Sequence, residues 1–130
     1  MTASSSRSPV NGRGQYRRGA RFEHTTLTDL RANGYYAQRT PGSKGVADIL
    51  AVKPGQVLLV QCKTSGTLPP APWNALYDVA ADCGALPVMA EKGAPGKVRY
   101  WRLERRKSGE RGQRQPMVAF VVDEPGAASW

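Results

Sequence analysis

The stretch from Ala47 to Ser65, ADILAVKPGQVLLVQCKTS, constrains the fold more than any other part of the chain. Two apolar runs flank Pro54-Gly55, which reads as a β-hairpin with strands over about 47–53 and 56–63. If the turn closes symmetrically, Lys53 lies opposite Gln56, Val52 opposite Val57, Leu50 opposite Leu59 and Asp48 opposite Gln61. Strand alternation then puts Asp48, Leu50 and Val52 on one face together with Val57, Leu59, Gln61 and Lys63. Pro-Gly matches the favoured two-residue hairpin turns poorly, and a slip by one residue would move every side chain to the other face. An acid, an amide and an ammonium thus gather at one end of an aliphatic hairpin, where apolar residues would cost less to bury.

Patterns on either side place this hairpin in a larger layer. Tyr16, Ala20, Glu23, Leu27 and Leu30 recur at helical spacing, which predicts a helix from near Gln15 that stops at Asn33-Gly34. YYAQR reads as a strand and TPGSKG as a loop. After the hairpin, TSGTLPPAP reads as a proline-rich loop and WNALYDVAADCG as a short helix. Trp73, Leu76 and Ala80 share one face of that helix, and Gly84 is its cap. LPVMAEK, KVRYWRLE and MVAFVVDE follow as strands. Hairpins joined by single helices predict an α/β layer with a mixed sheet of five to six strands and two helices. The expected organisation is a flexible basic arm over 1–14, a single domain over 15–124 with a basic loop at 104–116, and a tail over 125–130.

Charge narrows the partner. Nineteen Lys and Arg against ten Asp and Glu give a net charge of +9. A small domain this basic is expected to meet a polyanion. The cations cluster at Arg7, Arg13, Arg17, Arg18 and Arg21, and again at Arg105, Arg106, Lys107, Arg111 and Arg114. Clustering favours phosphate contact over general solubility. No apolar run approaches the ~20 residues of a membrane helix, so no membrane partner is expected. Cys62 and Cys83 are too few for a disulfide framework and read as reduced packing residues in a cytoplasm. His24 is the sole histidine and has no partner at zinc-ligand spacing.

Glu23 lies on the apolar stripe of the first helix, between Ala20 and Leu27. Either an arginine pairs with it at the rim of the core, or it points to the place where Asp48 points and a cation compensates both. Two carboxylates, an amide oxygen and a lysine suit Mg²⁺, which prefers hard oxygen ligands, with Mn²⁺ as the alternative. Such an ion offsets charge on a phosphate under attack, and a nearby lysine stabilises the attacking hydroxide. That chemistry is phosphodiester hydrolysis.

These residues resemble the core of the PD-(D/E)xK, restriction-endonuclease-like nucleases. More closely, the chain is similar to archaeal-type Holliday-junction resolvases, a family also found in phages. YRRGARFE resembles their basic-Gly-x-x-x-Glu opening and puts Glu23 on their first acid. YYAQRTPGSKGVAD resembles their strand, arginine, Gly-Ser loop and aspartate, which maps Arg39, Ser43 and Asp48. LLVQCKTS stands where they carry a strand ending in Glu-x-Lys, and here Gln61 replaces the acid. WNALYDVAADCGALPVMAEK resembles their second helix and next strand, so the likeness runs from about Arg17 to Glu104.

The resemblance implies a metal held by Glu23, Asp48, Gln61 and the main-chain carbonyl of Cys62, with Lys63 orienting water. Arg39 and Ser43 would meet the scissile phosphate or the backbone beside it. Arg17, Arg18, Lys44, Arg105, Arg106 and Lys107 would hold flanking phosphates. Four-way DNA junctions are two-fold symmetric, which implies a homodimer, and Trp73, Met89, Trp101 and Phe120 are expected to divide between core and interface. The implied setting is the cytoplasm of a prokaryotic or phage-infected cell. Two other functions fit the same residues: another nuclease on this core that nicks, repairs or restricts DNA, and an inactive DNA-binding protein, since Gln61 brings no charge.

Overall fold

The computed structural model describes residues 19–40, 45–110 and 114–122. A helix over 19–32, α1, precedes three strands: β1 (Tyr36–Arg39), β2 (Ile49–Lys53) and β3 (Gln56–Cys62). Helix α2 (Pro70–Cys83) leads to β4 (Leu86–Lys92), β5 (Val98–Leu103) and β6 (Met117–Phe120). The six strands form one sheet in sequence order. Among the described strands only β3 and β4 run parallel, because α2 carries the chain back to the same end of the sheet. The other neighbours are antiparallel, so the sheet is mixed as expected.

The hairpin keeps its symmetric register: Lys53 pairs with Gln56, Val52 with Val57 and Leu50 with Leu59. Gly55 has φ +78°, the conformation that the third position of a type II turn requires and that proline before it favours. This turn closes the two-residue loop without the one-residue slip.

Alternation divides the core into two layers. Ile49, Ala51, Leu58, Val60, Val88, Ala90 and Tyr100 face α1, which contributes Phe22, Leu27 and Leu30. Leu59, Met89, Trp101 and Leu103 face α2, which contributes Trp73 and Leu76. Trp73 and Met89 are fully buried and belong to the core.

Four expectations need correction. The buried face of α1 is Phe22, Thr26, Leu27 and Leu30, while Ala20 and Glu23 lie at its half-buried rim; Tyr16 lies outside the described residues. Phenylalanine has far more apolar area to remove from water than alanine, so it sets the rotation of the helix. Thr26 can be buried because its hydroxyl donates to the Phe22 carbonyl at 2.9 Å. The proline-rich stretch is not all loop: Pro70 and Pro72 lie in the first turn of α2, where a missing N–H costs nothing. Cys83 is exposed rather than packed, being on the last turn of α2 just before the left-handed cap Gly84. The basic segment after β5 is not a free loop, as described below. The arm over 1–14, the tail over 125–130 and part of the loop at 104–116 lie outside the described residues.

Candidate active site at the open end of the hairpin

Asp48 sits one residue before β2, and its main chain is fixed on both sides. Its N–H donates to the Val60 carbonyl at 2.8 Å, and its carbonyl accepts from the Thr40 N–H at 2.9 Å. This holds the side chain over the end of β3, where Oδ2 accepts the Cys62 N–H at 2.8 Å. In a strand the N–H and C=O of one residue point to the same side, so the Cys62 carbonyl faces the Asp48 side as well.

Glu23 comes from α1. Its carboxylate pairs with Arg39 at the end of β1, with Nη2 and Oε1 3.2 Å apart. The arginine is half-exposed and the acid largely covered. Both sequence readings of Glu23 therefore meet in one place: the residue has its arginine, and it also lies within electrostatic reach of Asp48.

Burial, then the Asp48 charge, raises the Glu23 pKa, and Arg39 only partly offsets this. Burial raises the Asp48 pKa against the opposing pull of the Cys62 N–H, Lys63 and Arg39. Both acids are thus less comfortable as anions here than in water. Burial, followed by the Asp48 charge, pushes the Cys62 thiol up to about 12, and the Thr26 side chain hydrogen-bonds it. Without a cation beside it, a thiol with so high a pKa stays neutral.

Lys63 follows β3, with its N–H on the Ala90 carbonyl at 2.9 Å. Gln61 is half-buried, two residues earlier on the same face, and pairs in register with Met89. The structure thus brings Glu23, Arg39, Asp48, Cys62 and Lys63 together, with Gln61 on the strand beside them. Among the described residues, no group of three or more His, Cys, Asp and Glu side chains is arranged to hold a metal. The donor set still fits a hard divalent cation: two carboxylates with raised pKa values would be relieved by positive charge, and the Gln61 amide and Cys62 carbonyl add neutral oxygens.

The other expected contacts fare differently. Ser43, Lys44, Arg17 and Arg18 lie outside the described residues. Arg105 is exposed, and Arg106 pairs with Asp78 of α2. Lys107 turns inward. Its Nζ donates to the Leu68 carbonyl at 2.8 Å and to Gln115 Oε1 at 2.9 Å, and lies 4.9 Å from the centre of the Trp73 ring. Trp73 Nε1 donates to the Arg105 carbonyl at 2.8 Å, and Asn74 bonds the Lys107 main chain. The expectation for Lys107 is a phosphate contact; in the described residues its ammonium satisfies the Leu68 carbonyl and Gln115 Oε1 over Trp73.

Sequence reasoning passed over Glu91. Its Oε1 accepts Trp101 Nε1 at 2.9 Å, and its other oxygen lies against Gly66 in the turn after Lys63. The available signal was its place at the end of β4, one step beyond the Cys62–Ala90 pair.

With this geometry in hand, the chain can be set beside known proteins. The family model described as archaeal Holliday junction resolvase (hjc) matches residues 14–70. Crossover junction endodeoxyribonuclease Hjc of Methanocaldococcus jannaschii is 43% identical over 53 residues, 41% of this chain and 39% of that protein. The structure of Archaeoglobus fulgidus Hjc, a Holliday junction resolvase from an archaeal hyperthermophile, superposes with a TM-score of 0.57 at 29% identity, covering 69% of this chain and 79% of that one. Over residues 14–70 the chain is similar to the archaeal Holliday junction resolvase family. Its sheet and two helices are the restriction-endonuclease-like core of those resolvases. The match extends over about two fifths of the curated resolvase's length. The family-matched segment contains α1, the hairpin and Lys63, so all the acids and cations gathered at the site lie within it.

Proposed function

We propose that this chain is a divalent-metal-dependent endodeoxyribonuclease that resolves four-way DNA junctions by phosphodiester hydrolysis. The observation that carries the reading is the meeting of Glu23, Arg39, Asp48 and Lys63 at the open end of the hairpin. Glu23, Asp48, Gln61 Oε1 and the Cys62 carbonyl would hold Mg²⁺ or Mn²⁺. The cation would supply charge compensation at the scissile phosphate. Lys63 orients the attacking water and steadies the developing negative charge. Arg39, half-exposed while paired with Glu23, presents its remaining N–H groups to the phosphate beside the cut.

A symmetric junction calls for two such sites. Tyr36, Leu50 and Val57 are exposed apolar residues on the face of β1–β3, and Val79 of α2 is exposed as well. Helix α2 packs on β3 and β4, and Tyr36 and Leu50 at the β1–β2 end of that face are exposed among the described residues. This supports a homodimer through that face in place of one through Trp73 and Met89.

The test is a cleavage assay on a synthetic four-way junction beside a linear duplex of the same sequence, with Mg²⁺, Mn²⁺ or EDTA. Junction-selective cutting that EDTA abolishes is expected; cutting that persists in EDTA would overturn the metal-dependent reading. One observation favours a second function. Gln61 leaves two acids at the site, and a junction-binding protein without cleavage would show tight binding and no products under any metal.

A further inference from the structure

Lys63 stands one residue past the end of β3, where strand pairing gives out. Cys62–Ala90 is the last pair between β3 and β4. The Lys63 N–H still reaches the Ala90 carbonyl at 2.9 Å, but its own carbonyl leaves the sheet and accepts the Gly66 N–H at 2.9 Å. That bond closes a turn over residues 63–66, in which Gly66 has φ +73°. The main chain at Lys63 thus rests on one sheet bond and one turn bond. Lysine carries its ammonium on a long flexible stem, so the backbone beneath it must be set firmly for the charge to be placed.

Two side chains from later in the sequence converge on that turn. Gly66 is buried, and both of its main-chain polar groups are used: the N–H on Lys63, and the carbonyl on Gln115, whose Nε2 donates to it at 2.9 Å. Gln115 is held at its other atom, since Oε1 accepts Lys107 Nζ at 2.9 Å and the Leu68 N–H at 3.3 Å. Glu91 meets Gly66 from β4. It is level with Lys63, one step beyond the last β3–β4 pair, and faces α2 as Met89 does two residues earlier. Trp101 Nε1 donates to its Oε1 at 2.9 Å, and the other carboxylate oxygen lies so close over Gly66 that a Cβ there would collide with it. Serving the Trp101 indole and the Lys107 ammonium takes one oxygen from each side chain. The second polar atom of each goes to the same glycine, three residues after Lys63. Both residues lie outside the segment 14–70 that the family model matches, so that match assigns them no role.

We propose that Glu91 and Gln115 are positioning residues for Lys63. The carboxylate acts as a wedge and the amide as a tie. Together they hold the 63–66 turn, and with it the ammonium that orients the attacking water. The inference rests on the nuclease reading of the site.

The experiment compares wild type with Gln115→Glu, Glu91→Ala and Glu91→Gln, each assayed well below its unfolding midpoint. Gln115→Glu keeps the oxygen that serves Lys107 and Leu68 and sets a repelling oxygen where the donor to Gly66 was. It should lower the single-turnover rate of junction cleavage at saturating protein about tenfold and leave junction affinity in EDTA unchanged, because displacing a reacting group slows the chemical step without loosening binding. Glu91→Ala should do the same. Glu91→Gln keeps the shape and the acceptor for Trp101, and should retain the wild-type rate. Hydrogen exchange of the Gly66 N–H, read by NMR without DNA or metal, should be about tenfold faster in Gln115→Glu and Glu91→Ala than in wild type or Glu91→Gln. Unchanged rate and exchange in Gln115→Glu and Glu91→Ala would overturn the proposal. So would weakened affinity at an unchanged rate, which would make the two residues DNA contacts. A wild type that cuts no junction would count against the nuclease reading, and the exchange rates would still decide whether these side chains hold the turn.

Discussion

The Cys62 amide donates to Asp48 Oδ2 at 2.8 Å, so the acid at the head of β2 is held by the main chain at the end of β3. One hydrogen bond thereby fixes both the closing point of the hairpin and the aim of the candidate catalytic carboxylate. An asparagine at this position could still accept that bond through its amide oxygen but would carry no charge. Asp48→Asn should therefore fold with an unfolding midpoint near wild type and lose cleavage by a factor of about 100 or more, with junction binding largely retained. Lys63→Ala should behave likewise. Full activity in either variant, read by gel assay, would remove the residue from the mechanism.

Charge at the site predicts a coupling between pH, metal and stability. The folded pKa values of Glu23 and Asp48 are raised above their ordinary values of 4.5 and 3.8. The protonated acids favour the fold, so the stability they lend is complete below those ordinary values and is lost as pH rises through the folded values. Once both acids are ionised the penalty is fully present, and a divalent cation should relieve it. Mg²⁺ at about five times its Kd should raise the melting temperature by about 3 °C at pH 7.5. The rise should vanish below about pH 4, where the acids are protonated, and in Asp48→Asn. Calorimetry with and without Mg²⁺ checks this.

Gln61 offers an amide oxygen where the related resolvases are expected to offer an acid. Gln61→Glu should bring half-maximal cleavage to lower Mg²⁺, since a carboxylate attracts a hard cation more strongly. Lys63 should remain necessary. Overlaying Mg²⁺ titrations for the two proteins would show that this side chain does not reach the metal.

Gly66 has φ +73°, and a Cβ there would collide with the Glu91 carboxylate. Gly66→Ala should destabilise the fold by about 2 kcal/mol through strain and the clash together. Adding Glu91→Ala should recover only the clash, because the backbone strain remains. Denaturant unfolding of the single and double variants separates the two contributions.

Lys107 tests the reassignment of the basic segment. Lys107→Ala should lower stability by about 1 kcal/mol, having removed the donor to Leu68 and Gln115 and the cation over Trp73. The salt slope of DNA binding should change little. A full loss of one phosphate contact with no loss of stability would return Lys107 to the DNA surface.

What the sequence determined was local. Period-two alternation and Pro54-Gly55 marked β2, β3 and the turn between them, and the register was settled only by the positive φ that Gly55 takes in the structure. Helical spacing and Gly84 likewise marked α2 and its end, and the ordered motif from Gly19 to Lys63 marked the site. Tertiary structure decided which charges are neutralised and which residues turn inward. Nothing local says that Arg39 would pair with Glu23, 16 positions earlier in the chain, or that Lys107 would cover Trp73. Those outcomes depend on desolvation, and a side chain is desolvated only by segments that folding brings to it from elsewhere in the chain.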